Sequence, residues 1–235
     1  MGIQRVLSAQ IKRMCLSAEA SFIAATALIP AGVLSTARAL RTDRRYAPIA
    51  ALPLLFGLQQ ALEGLVWTAN GNAILVETFS LAYMFFSWMA WPVWVPFSVY
   101  FLESERRKPL YLVLAIIGGM IGAIQFVPYF AHDNWLTTQF LPRLIVYQGK
   151  ELFDTFIGRM TTHSIYVVVV VGSLLVSSVL NIRVFGALVA AVVVVTYLFF
   201  SYAYISVFCF GGAVMSLYLV WMIFEGGWRP TSPVM

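Results

Sequence analysis

Gln59, Gln60, Glu63 and Trp67 stand three and four residues apart in one apolar stretch, a spacing that puts them on one helical face. A carboxyl inside a bilayer is costly, so Glu63 is a candidate for binding a proton, an ion or a small ligand, with the two amides as support. The alternative is that these groups hydrogen-bond between helices and hold them together. Glu19 and Glu77 open their own apolar stretches, where the helix dipole favours an acid. Glu63 lies near a helix C-terminus, where the dipole disfavours one, so it needs another reason to exist. Glu19, Gln59, Gln60, Glu63, Trp67 and Glu77 are therefore expected to wall a polar pocket.

Thiols and imidazoles form a second set: Cys15, Cys209, His132 and His163. All four fall at the same side of the topology drawn below. A Cys15–Cys209 disulfide in an oxidising compartment is one reading. A metal site of Cys15, His132, His163 and Cys209 is another, although the spacings match no standard zinc signature. Imidazoles that cap helices or sit at an interface are the plain alternative.

What positions these groups is a run of apolar segments. Apolar residues make up 61% of 235, and charged residues only 11%, against roughly 25% in soluble domains. The pattern predicts an all-α, polytopic transmembrane helix bundle, because lipid leaves no partner for open backbone groups. Seven spans are drawn: Ser17–Leu40, Ala47–Thr68, Ala73–Leu102, Pro109–Ala131, His163–Leu180, Val184–Tyr202 and Ser206–Glu225. The last three are joined only by Asn181–Arg183 and Ala203–Ile205, which makes them antiparallel neighbours. Span three carries Trp88, Trp91, Pro92, Trp94 and Pro96. Its prolines predict a kink. Its tryptophans read as an interfacial belt, or more sharply as an aromatic box for a ligand.

Nine of the 15 Lys and Arg fall on one side: Arg38, Arg41, Arg44, Arg45, Arg106, Arg107, Lys108, Arg183 and Arg229. That side is expected inside, so the N-terminus is out and the C-terminus in. The same bias explains the pI near 9.4 without nucleic acid. Residues 1–13 read as an N-terminal extension or interfacial helix, or as sequence before a true start at Met14. Residues 14–235 form one membrane domain with an outer loop at 132–162. Within that loop Leu144–Tyr147 and Glu151–Phe153 are expected to pair around Gln148–Lys150, with Gly149 in the turn. Such a flap would cap an outward pocket or serve as a plain structural lid.

Several activities are excluded. A retinal protein needs a lysine in its last span, and none follows Lys150. Seven-helix zinc hydrolases of the alkaline ceramidase type use three histidines, and this chain has two. No nucleophile elbow, His-Glu-x-x-His or phosphate loop occurs. The segments Met14–Phe22, Leu52–Trp67, Leu174–Ser178 and Ser206–Phe210 resemble an uncharacterised family of small bacterial polytopic membrane proteins that begin Met-Cys-Phe-Ser-Ala. The resemblance implies that Cys15, Glu19, Gln59, Gln60, Glu63 and Cys209 lie in family motif positions. It implies no activity and no cofactor.

The leading expectation is a multi-pass protein of a bacterial plasma membrane that binds, senses or transports a small solute or ion. A metal- or thiol-dependent membrane enzyme or redox protein is the second. A structural or assembly subunit is the third, supported by the Gly118–Gly122 pair, which permits close helix approach. The partners expected are the lipid bilayer and a small solute, ion or metal. Nucleic acid is not among them, and self-association or a larger complex is left open.

Overall fold

The structure is a computed structural model and describes residues 17–132, 135–150, 152 and 158–225. It is mostly helical. The helices are α1 (Ala18–Thr42), α2 (Arg44–Thr68), α3 (Ala73–Tyr100), α4 (Lys108–Ala131), α5 (Thr161–Leu175), α6 (Leu180–Phe200) and α7 (Tyr204–Glu225). Between α4 and α5 lie two strands, β1 (Leu136–Leu141) and β2 (Leu144–Gly149). The helical class expected from the sequence holds, and the hairpin is the one sheet among the described residues. Cys15 and the expected interfacial helix at 1–13 lie outside the described residues, as does Arg229.

Five helical segments are long and apolar enough to cross a membrane, the last running from Leu180 to Glu225 over 46 residues. A straight helix of that length would reach roughly 70 Å, over twice the bilayer core. It folds back instead at a 3₁₀ turn, Ser201–Ala203, so α6 and α7 pack side by side. Gly211 faces Val192 across that pair, with no room for a Cβ.

The helix ends are set by short polar signals. Ser17 caps α1 by accepting from the Ala20 amide at 3.3 Å. Asn72 caps α3 through the Leu75 amide at 3.2 Å, just after Gly71 at φ +99°. Asp43 accepts from the Arg45 amide at 3.0 Å between α1 and α2. Each side-chain oxygen satisfies a helix donor that has no partner inside the helix.

The expected kink in span three takes a specific form. Phe86–Ala90 is a π turn in which the Trp91 amide reaches back to the Phe86 carbonyl. Pro92 has no N–H to offer Trp88, and Trp91 skips Ser87. Two carbonyls in one turn are thus released from the helix ladder. Tyr166 donates its hydroxyl to the freed Ser87 carbonyl at 2.6 Å. The freed Trp88 carbonyl lies against Gly122, and the Pro92 carbonyl against Gly118. The Gly118–Gly122 pair therefore serves internal packing of α4 on α3. Trp88 and Trp91 are buried rather than at an interface, and Trp94 donates to the Pro48 carbonyl at 2.9 Å. For Trp88 and Trp91 the interfacial-belt reading is corrected accordingly.

Two turns fall elsewhere than expected. The α5–α6 break lies at Val176–Val179, and Asn181, Ile182 and Arg183 belong to α6. Buried Glu103 holds the break: it accepts from the Ser177 hydroxyl at 2.8 Å, the Ser178 amide at 2.6 Å and the Ser178 hydroxyl at 2.7 Å. In the hairpin, Leu136 pairs with Gly149 and Leu141 with Leu144, so the turn is Pro142–Arg143. Gly149 is not in the turn and is not among the positive-φ glycines. It is small because the Tyr129 hydroxyl occupies the place of a Cβ.

Candidate functional site

Gln59, Gln60 and Glu63 do share one face of α2, and that face is buried, at 0%, 0% and 1% exposure. The face looks into the bundle toward α3 and α7. Gln59 is the hub. Trp91 Nε1 donates to Gln59 Oε1 at 3.1 Å. An indole N–H can only donate, so it fixes the amide orientation. The Gln59 NH₂ is thereby turned to Ser87 Oγ at 3.1 Å and Cys209 Sγ at 3.2 Å. The Ser87 hydroxyl lies 3.6 Å from the same sulfur, and the Tyr83 hydroxyl also faces it.

One turn along α2, the Ser206 hydroxyl donates to Glu63 Oε1, and Gln60 lies beside the same carboxyl. Glu63 Oε2 has no hydrogen-bond partner among the described residues. The contrast with Glu103 is informative, because these are the two buried acids among the described residues. Glu103 is surrounded by three donors, with Arg107 at 3.8 Å. A carboxyl so fully partnered reads as a structural tie. Among the described residues Glu63 has one oxygen held by Ser206 and Gln60 beside the carboxyl, which leaves acceptor capacity to serve something else.

The hairpin closes this end of the bundle. Leu144, Ile145, Val146 and Tyr147 are all buried, so both faces of β2 are covered. Tyr147 stacks on Tyr83 with ring centres 4.8 Å apart. Ser80 and Thr138 share a hydroxyl hydrogen bond of 2.8 Å, and Trp67 packs against Phe140. Trp67 thus belongs to the lid contact rather than to the polar cluster. Glu19 and Glu77 are exposed and stand apart from the buried cluster.

Beside the cluster, between α3, α5, α6 and α7, is a cavity of about 440 Å³. Its wall includes Ser87 and Cys209, so the hydrogen-bonded hub and the cavity share two residues. Trp88, His163, Tyr166, Thr196, Tyr204 and Phe208 supply most of the rest. His163 stacks on Trp88 at 6.1 Å and meets Tyr204 at 4.6 Å.

The expected metal set is only partly brought together. His163 and Cys209 line one cavity, whereas His132 stacks on Trp135 at 4.3 Å. Among the described residues no three His, Cys, Asp or Glu side chains cluster as a metal site would require. Cys209 is buried at 1% exposure, and its expected partner Cys15 lies outside the described residues.

Sequence reasoning missed Ser87, Tyr83, Tyr166, Thr196 and Ser206. Serines and tyrosines in apolar helices carry little signal alone. The available clue was Ser87 and Trp88 lying four residues before Trp91 and Pro92, the carbonyls that a proline and its neighbour release.

A model of a family of unknown function (DUF6629) matches residues 14–230. The chain belongs to that family. No curated protein and no solved structure matches it. Every part of the cluster and the cavity lies within the family match.

Proposed function

We propose that this family member is a seven-span protein of a bacterial plasma membrane, N-terminus out and C-terminus in, that binds a small solute inside the bundle. The seat is the cavity between α3, α5, α6 and α7, near the outer end in this orientation. The observation that carries the reading is the shared wall: Ser87 and Cys209 belong both to the cavity and to the hub organised by Gln59. A bound molecule therefore touches groups linked through α2 and α7 to Glu63. Binding, sensing and transport all begin with such a seat.

Val193 lines the cavity, and Val193→Trp would fill part of it. Native mass spectrometry of protein in a mild detergent is expected to show a bound small molecule, released on denaturation and lost in Val193→Trp. A wild-type protein with no bound mass, and no ligand stabilising it in a thermal screen of membrane-soluble and polar solutes, would count against the proposal. Transport, as opposed to binding alone, predicts that Glu63→Gln loses solute flux while the unfolding midpoint holds.

A thiol- or metal-dependent enzyme is the second reading, favoured by His163 and Cys209 sharing the cavity. It predicts stoichiometric metal, or a thiol that an apolar alkylating reagent modifies at once, in the purified protein.

A further inference from the structure

We infer, resting on the proposal that the cavity is a ligand seat, that its occupant is the acyl chain of a bilayer phospholipid, with the headgroup left outside at the membrane surface. The wall offers hydrocarbon rather than polar groups. No Asp, Glu, Lys or Arg lines it, so a charged group inside would have no counter-charge, which is strongly unfavourable. The polar atoms of Trp88 and Thr196 are enclosed by protein, so these residues turn only carbon toward the space. The Tyr166 hydroxyl is occupied by the Ser87 carbonyl at 2.6 Å. The Ser87 hydroxyl and the Cys209 sulfur are engaged by the Gln59 amide at 3.1 and 3.2 Å. Val167, Val193, Ile205 and Phe208 add plain apolar surface. The deep part of such a space stays dry, because water there would lack the polar partners it needs.

The cavity also has a direction. Val193, Thr196, Tyr197 and Ser201 line it at positions i, i+3, i+4 and i+8, which is one helical face. From Val193 to Ser201 the wall covers roughly 12 Å of helix axis. The two ends of that stretch differ. The shallow end, at the α6–α7 turn, carries exposed Tyr197 and Ser201. The deep end, toward the middle of the spans, carries Val193 with Val167 and Phe208. A polar rim above an apolar slot that runs along the helices matches a lipid, headgroup at the surface and chain parallel to the spans.

The mouth opens sideways. Tyr197 is 59% exposed, and Val194, Leu198 and Phe199 beside it are exposed as well. Apolar surface turned outward on a spanning helix meets lipid chains, which are as apolar as leucine. Those chains are the solvent at the mouth. A void left empty beside them would deprive its lining atoms of dispersion contacts. The adjoining chain therefore fills it without leaving the bilayer, and it lies against Ser87 and Cys209, the two groups held by Gln59.

The test is photolabelling in proteoliposomes with two phosphatidylcholine probes. One carries a diazirine near the end of an acyl chain, the other carries it on the headgroup, and labelled residues are mapped by peptide mass spectrometry. The chain probe is expected to mark Val167, Ile205 and Phe208 in the wall, besides Leu198 and Phe199 on the outer face. In Val193→Trp the wall labels should be lost and the outer labels kept. The headgroup probe should mark Ser201 and Tyr202 at the rim and leave the wall unmarked. Chain labels confined to the outer face overturn the inference. So do wall labels that persist in Val193→Trp, or that the headgroup probe produces equally. If Val193→Trp fails to fold, the contrast between the two probes on the wild-type protein still decides. A bound molecule in the native mass measurement without wall labels overturns the acyl chain and leaves the seat to another occupant. Absence of both signals overturns the seat as well.

Discussion

Replacing Gly122 by alanine tests the packing that sets the cavity wall. A Cβ at Gly122 would collide with the Trp88 carbonyl oxygen and lie 3.1 Å from Met89 Sδ and 3.2 Å from the Trp88 carbonyl carbon. The oxygen and carbon are backbone and cannot rotate away, so α3 and α4 must separate. Overpacking of this kind costs about 1–3 kcal/mol. Alanine recovers about 1 kcal/mol of helix propensity, which leaves a net loss of up to roughly 2 kcal/mol. Gly119 is the internal control, on the same helix three residues earlier. A Cβ there meets only a Val93 methyl, at 3.4 Å. Gly119→Ala keeps the propensity gain of up to ~1 kcal/mol without the clash. The two variants should therefore differ by about 1–3 kcal/mol in an SDS titration in mixed micelles, followed by far-UV circular dichroism and tryptophan fluorescence. Ligand affinity should fall in Gly122→Ala alone, because the displaced turn carries Ser87 and Trp88. Equal unfolding midpoints for the two variants would refute the claim that α3 and α4 meet through the Trp88 carbonyl.

Three further outcomes are expected. Glu103→Ala removes the acceptor for Ser177 and Ser178 and should cost about 1–3 kcal/mol in the same titration, while Glu105→Ala, at an exposed surface pair, should change little. Gly149→Ala should loosen the hairpin by pressing on the Tyr129 hydroxyl, and Tyr129→Phe should recover part of the loss, with a coupling of about 1 kcal/mol read from a double-mutant cycle; additive effects would count against that contact. Asp43 is held below the ordinary carboxylate range by its hydrogen bond to Arg45. Its contribution is therefore present above its unfolded value near 4 and is lost as pH falls through its lower folded value. Asp43→Asn should flatten the acid limb of the stability curve, by under about 1 kcal/mol since Arg45 is largely exposed.

Much of the framework was legible because it depends on local pattern. Long apolar runs must become helices where lipid offers no hydrogen bonds, and the starts of α3 and α4 fall where hydropathy puts them. The Gln59–Gln60–Glu63 face was readable from spacing alone, and burial of all three follows from the cost of polar groups in lipid. The α5–α6 break was not readable. Asn181–Ile182–Arg183 looks like a loop, yet the helix breaks at Ser177–Ser178 because Glu103, 74 residues away from Ser177, accepts their donors. The hairpin register was misplaced for a related reason. Gly149 suggests a turn, but its smallness answers to Tyr129 on another element.

The chain alone thus determined the helical class, the polar stripe on α2 and the small residues that let α4 approach α3. Periodicity and composition suffice for these, since each is a property of one segment and its solvent. Tertiary structure decided which polar groups work together. Trp91 orients the Gln59 amide, Cys209 meets it from α7, and Glu63 is left with one partnered oxygen while exposed Glu19 and Glu77 stand apart. Hydrogen bonding and cavity formation depend on distances of a few ångströms between residues up to 150 positions apart, and no local signal encodes those distances.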